Sequence, residues 1–158
     1  MLNASEMKKE STIDSFFKSS GPLSKIVDNF RERQEQVDMA KVVNEAIENK
    51  SSLIVEAGTG VGKTFAYLGP ALMNGGKVVI STATKNLQDQ LFLKDIPTIR
   101  DALKIPIDIK ILKGRANYIC QLRMENALVE GQFLNREDAK YIHEIKKISD
   151  HSKSGEIS

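Results

Sequence analysis

An α/β fold with a parallel sheet is the architecture that this 158-residue chain predicts. Three observations predict it. Short apolar runs of strand length, at 52–56, 77–81 and 108–112, alternate with stretches of helical periodicity. The first run leads through a glycine-rich loop directly into a helix. Apolar residues make up 41% of the chain and charged residues 28%, which suits a packed core and excludes wholesale disorder or a fibre. Strand, helix, strand, helix, strand at this spacing implies right-handed crossovers.

Residues 1–28 are polar, apart from the cluster Ile13, Phe16 and Phe17 and the turn signal Ser20-Gly21-Pro22. They read as a mobile arm with one short helical anchor. From Gln34 to Glu48 the pattern is helical, with Met39, Ala40, Val43, Ala46 and Ile47 on one face. Ser52 to Glu56 reads as a buried strand. Lys63 to Met73 reads as a helix with Phe65, Leu68 and Leu72 on one side, bent by Pro70 and ended by Asn74-Gly75-Gly76. Lys77 to Ser81 is a second strand, and Thr84 to Leu93 a further helix. Pro97 marks a break before a short helical stretch at 99–103, and Asp108 to Leu112 is a third strand. Residues 117–149 read as helical, with Leu122, Leu128, Tyr141, Ile142, Ile145 and Ile148 as the apolar side. Three regions result: an arm at 1–28, the strand-bearing part at 29–115, and a helical part at 116–158.

Composition also excludes several classes. With 23 basic and 21 acidic residues the net charge is +2, too small an excess to announce a nucleic-acid binder by itself. One cysteine cannot form an internal disulfide, and a reducing, cytoplasmic setting is expected. No apolar run approaches the ~20 residues of a membrane span, and the first residues lack a signal peptide's apolar region.

The most specific motif is Ala57-Gly58-Thr59-Gly60-Val61-Gly62-Lys63-Thr64, a phosphate-binding P-loop with alanine in place of its first glycine. Glycines let successive backbone N–H groups turn toward phosphate oxygens, and the following helix N-terminus adds positive potential. Lys63 is expected to reach the β- and γ-phosphates of ATP, and the Thr64 hydroxyl to ligate Mg²⁺.

Two flanking segments narrow the class. Upstream, Phe30-x-x-Arg33-x-x-Gln36-x-x-Met39 resembles the Q motif of superfamily-two helicases. Arg33 and Gln36 would read an adenine, because an amide offers both a donor and an acceptor to N6 and N7. The same residues also suit a solvated, charged helix start. Downstream, Ser81-Thr82-Ala83-Thr84-Lys85-Asn86-Leu87-Gln88 looks like helicase motif Ia. Hydroxyls at a strand end beside a helix N-terminus can grip a nucleic-acid backbone, although serine and threonine are ordinary N-caps as well.

Lys113-Gly114-Arg115-Ala116-Asn117-Tyr118-Ile119-Cys120 completes the resemblance. The chain resembles the N-terminal part of XPD/DinG-type iron–sulfur DNA helicases of superfamily two, the DinG and YoaA branch above all. The opening Ile13-Asp14-Ser15-Phe16-Phe17 and the closing Ser152-Lys153-Ser154-Gly155-Glu156 match as well, so the resemblance runs over nearly the whole chain. It implies an incomplete RecA-like P-loop domain followed by the helical start of an iron–sulfur domain. The implied activity is ATP-dependent 5′→3′ unwinding of DNA in repair. Thr82, Thr84, Gln88 and Arg115 would contact single-stranded DNA. Cys120 would be one of four ligands of a 4Fe–4S cluster, whereas a lone cysteine without that context is usually a buried apolar residue. Ile13, Phe16 and Phe17 also have the spacing of a sliding-clamp peptide, with Glu10 where a glutamine is expected; an aromatic pair anchoring the arm on its own domain is the simpler reading.

No Walker B acid, second RecA-like domain or further cluster cysteine is found in this sequence. The chain therefore reads as a fragment that binds ATP weakly and neither hydrolyses it efficiently nor unwinds DNA. A different P-loop NTPase and a non-enzymatic module that binds single-stranded DNA or a partner are the alternatives.

Overall fold

The computed structural model describes residues 12–157. The chain divides into two compact units, one ending at Ile111 and one beginning at Leu112.

In the first unit, residues 12–17 form helix α1. A 3₁₀ turn follows at Leu23–Lys25, then α2 (Gln34–Glu48) and α3 (Lys63–Asn74). The remaining helices are α4 (Lys85–Gln90), a π turn (Leu91–Asp95) and α5 (Ile96–Leu103). The core joins Ile13, Phe16 and Phe17 of α1 and Leu23 to Val37 and Ala40 of α2, Ala66 and Leu68 of α3, and Leu91, Ile99 and Ala102 beyond. Phe16 and Phe17 meet edge-on, with ring centroids 5.0 Å apart. Gly69 lets α3 approach them, since a Cβ there would lie 3.3 Å from the Phe17 ring. An ion pair between Asp14 and Lys41 at 2.8 Å ties α1 to α2. Ile13, Phe16 and Phe17 are thus wholly internal, which corrects the clamp-peptide reading: side chains buried in their own domain cannot insert into a partner. Glu10, the remaining position of that reading, lies outside the described residues, as does the rest of 1–11.

The buried face of α2 is rotated from the one its apolar period predicts. Gln36, Val37, Ala40 and Asn44 are buried, while Ile47 is exposed. Two polar residues lie inside because each has a directed partner: Gln36 bonds to Gly62, and Asn44 accepts from Asn74 at 2.8 Å. α3 continues through Pro70 to Asn74, whose amide also donates to the Pro70 carbonyl at 2.9 Å. Gly75, at φ 71°, ends it. Pro97 makes no break either. The helical path passes through it, because it follows directly on the π turn Leu91–Asp95, whose wider step interrupts the α-type bonding ahead of the ring.

The three expected strands are irregular, unpaired segments, and no strand is formed among the described residues. Ile54 is 98% exposed and Val79 94% exposed. A strand exists only where a neighbour about 4.8 Å away completes its hydrogen bonds, and these segments have none beside them.

The second unit holds a 3₁₀ turn (Arg115–Asn117), α6 (Gln121–Glu130) and α7 (Arg136–His151). Gly131, at φ 61°, ends α6, so the expected 117–149 helix is two helices. The Asn135 side chain starts α7 by accepting from the Asp138 N–H at 2.8 Å. A short antiparallel bridge pairs Tyr118 with Glu156. It is reinforced by the Lys113–Glu156 ion pair and by the Lys113 N–H donating to the Tyr118 hydroxyl at 2.9 Å. Of the expected apolar side, Leu122, Tyr141, Ile145 and Ile148 are exposed; Met124 is the buried apolar residue here.

Candidate functional site

The loop 57–62 joins an extended segment to the N-terminus of α3. Gly60 and Gly62 take φ of 83° and 87°, the left-handed region that glycine occupies without strain. At Gly62 a side chain is doubly excluded. A Cβ there would run into the Gln36 amide, with the Arg33 guanidinium 3.6 Å away. The Gln36 Nε2 donates to the Gly62 carbonyl at 2.9 Å. Arg33 is the N-cap of α2, so one helix start presents both residues to the loop. Arg33, Gln36 and the loop residues, far apart in sequence, are brought together.

Lys63 opens α3, and its ammonium donates back to the carbonyls of Ala57 (2.8 Å) and Gly58 (2.7 Å). The cation is therefore held across the loop. Gln36 is 1% exposed, and its Oε1 has no hydrogen-bond partner. A buried acceptor left unmade costs about 1–3 kcal/mol, which a donor placed beside it would recover.

Thr64 is the second residue of α3, one helical turn before Tyr67. Burial raises the Tyr67 phenol above its ordinary range; the Thr64 bond opposes this and the Asp95 carboxylate adds to it. Neither Tyr67 nor Asp95 is marked by a motif. The one sequence signal for Tyr67 is its place one helical turn after Thr64.

Thr82 donates to the Thr84 carbonyl at 3.2 Å. Thr84 caps α4, its hydroxyl accepting from the Leu87 N–H at 3.3 Å. Gln88 lies half-buried in α4. Arg115 is exposed in the 3₁₀ turn of the other unit. Cys120 is an exposed free thiol at the N-cap of α6. No group of three or more His, Cys, Asp or Glu residues that could hold a metal ion occurs among the described residues. One thiol is not the donor set of a 4Fe–4S cluster, which takes four. The residues here do not fit that group, and no step is routed through it.

Residues 37–121 match the DEAD/DEAH box helicase family. The chain belongs to that family. The helicase assignment carries a RecA-like fold class with it, and the chain is an N-terminal DinG/YoaA-like stretch of such a protein. It is 45% identical over 152 residues to the ATP-dependent DNA helicase YoaA of Haemophilus influenzae, covering 96% of this chain and 24% of that protein. It is 43% identical to the YoaA of Escherichia coli, covering 90% of this chain and 22% of that protein. It is 35% identical to the 3′-5′ exonuclease DinG of Bacillus subtilis, covering 75% of this chain and 13% of that protein. The chain thus spans about a quarter or less of these curated relatives. No solved structure matches it. No helix among the described residues is long and apolar enough to cross a membrane.

Proposed function

We propose that this chain is the nucleotide-binding start of an ATP-dependent DNA helicase that translocates 5′→3′ on single-stranded DNA in repair, in the cytoplasm. The observation that carries the reading is the Gln36 amide bonded to Gly62 at 2.9 Å, with Arg33 beside it. The backbone N–H groups of Ala57 to Gly62 would face the phosphates, and Lys63 would exchange its loop carbonyls for phosphate oxygens. Thr64 would ligate Mg²⁺. Gln36 has already committed one N–H to the loop. Its Oε1 is left as the acceptor for an exocyclic amine, which adenine has and guanine lacks at that position.

The finer architecture belongs to the same proposal. Segments 52–56, 77–81 and 108–112 are strands of a parallel sheet once neighbouring strands lie beside them. Region 29–115 belongs to the first RecA-like domain and 116–158 to the start of an iron–sulfur domain, although Cys120 alone is not the donor set of its cluster. Thr82, Thr84, Gln88 and Arg115 contact the DNA backbone. On its own the chain holds ATP weakly and does not turn it over.

Equilibrium binding of ATP and GTP, read by calorimetry on the wild type, Lys63→Ala and Gln36→Ala, tests this reading. The wild type is expected to prefer ATP, Gln36→Ala to lose that preference, and Lys63→Ala to lose affinity for both. Equal affinities for ATP in all three proteins would refute it.

A further inference from the structure

Asn44 and Asn74 have no part in holding phosphate, base or DNA as assigned above. Asn44 is 7% exposed, in a place on α2 that an aliphatic side chain would fill without burying a polar group. Its Oδ1 accepts from the Asn74 Nδ2 at 2.8 Å. The same nitrogen donates at 2.9 Å to the Pro70 carbonyl, one turn back in α3. The Asn74 amide is thus held on its own helix and directed at α2. Gly75, at φ 71°, ends α3 directly after it.

Two bonds therefore bracket one helix contact. At the start of α3, the Gln36 Nε2 donates to the Gly62 carbonyl at 2.9 Å. About 12 Å farther along α2, Asn44 meets Asn74 at the other end of α3. The residues between the two bonds, Val37, Ala40, Ala66 and Leu68, belong to one apolar core, which sets no register by itself. One bond is a pivot, whereas two bonds separated along the axis are a register. With the near bond alone, α2 can slide or roll about it, and the Gln36 amide turns with the helix. The Gln36 Oε1 is a buried acceptor with no partner, so its direction is what a base amine meets. Any shift of α2 on α3 reaches that atom. The phosphate-holding groups, the loop amides and Lys63, belong to the loop and α3 and are not carried by α2.

We propose that Asn44 and Asn74 are positioning residues for base selection. Their amide bond fixes the register of α2 on α3, and with it the direction in which Gln36 presents its Oε1. The pair thereby governs discrimination between adenine and guanine nucleotides from the far end of the helices, and contributes nothing to phosphate affinity. The inference rests on the reading of Gln36 as the base-selecting residue.

The test is calorimetric binding of ATP, GTP and tripolyphosphate by the full chain, with circular dichroism to check that each variant is folded. Asn44→Leu removes the bond and keeps an apolar filling. It is expected to lower the preference for ATP over GTP about fivefold, the equivalent of one neutral hydrogen bond, and to leave the affinity for tripolyphosphate unchanged. Asn74→Ala removes the same bond from the less buried partner, is expected to act alike, and decides the matter where Asn44→Leu does not fold. Asn44→Asp keeps an acceptor oxygen at the same reach and is expected to retain the preference. Added to Gln36→Ala, Asn44→Leu is expected to change the ratio no further, because the pair acts through Gln36. A wild-type preference in the folded bond-deleting variants overturns the inference and leaves the role of Gln36 standing. So does a loss shared equally by ATP, GTP and tripolyphosphate, which is the mark of general loosening. A preference as low in Asn44→Asp as in Asn44→Leu, or a further fall in the double variant, overturns it as well. If the wild type does not prefer ATP, or Gln36→Ala retains the preference, the base reading itself fails, and this inference fails with it.

Discussion

Truncating Phe17 to alanine is expected to unfold much of the first unit's margin of stability, although the residue lies 46 positions before the lysine of the loop. The ring is 0% exposed, edge-on to Phe16 with centroids 5.0 Å apart, and covers the Gly69 face of α3. Removing a core phenylalanine costs about 3–5 kcal/mol, of which the aromatic pair accounts for about 1 kcal/mol. With a urea dependence of about 2 kcal/mol per molar, the midpoint should fall by about 2 M. The assay is urea unfolding followed by circular dichroism, with Phe17→Leu as the milder variant. If α1 were a detachable docking peptide, the same change would cost no more than about 0.5 kcal/mol, as surface substitutions do. A shift of only about 0.2 M would therefore refute the placement of α1 in the core.

Three further outcomes are expected. Gly62→Ala forces a side chain into left-handed backbone and into the Gln36 amide. It should cost about 1–3 kcal/mol in thermal unfolding and abolish ATP binding in calorimetry. Burial raises the pKa of Tyr67 in the folded protein above the ordinary 10.0. Above pH 10.0 the unfolded phenol loses its proton first, so stability should fall as pH rises toward the folded pKa. Tyr67→Phe should flatten that fall in alkaline unfolding curves, and an unchanged curve would count against the assignment. Asn135→Ala removes the cap of α7 and should cost about 1 kcal/mol, seen as faster amide hydrogen exchange in the first turn of that helix.

The loop was legible because its signal is local: glycines, lysine and threonine at fixed offsets between an extended run and a helix. Arg33 and Gln36 were legible through spacing, and the structure places both beside Gly62. The burial of Asp95 was not, because it depends on how the π turn packs, which no period in the sequence encodes. The break expected at Pro97 is not formed. The helical path runs on through Pro97 directly after the π turn, and α3 persists through Pro70, with the Asn74 amide bonded to the Pro70 carbonyl. The strands were read from apolar content alone. Apolar content marks what a segment can bury, whereas a ladder needs a second backbone.

The misreading of α2 and the placement of the site have one cause. Val37 and Ala40 share one apolar core with Ala66 and Leu68, and apolar surfaces alone pack acceptably at more than one offset. Directed bonds remove that freedom. Gln36 reaches the Gly62 carbonyl at the start of α3, and Asn44 meets Asn74 at its end. Two bonds at opposite ends fix both the slide and the roll of one helix on the other. Burying two amides in place of aliphatic side chains gives up transfer free energy and leaves Gln36 Oε1 without a partner. What it secures is that the start of α2, with Arg33 and Gln36, lies against the last glycine of the loop. An apolar stripe in the predicted register would have packed the helices and turned those residues away.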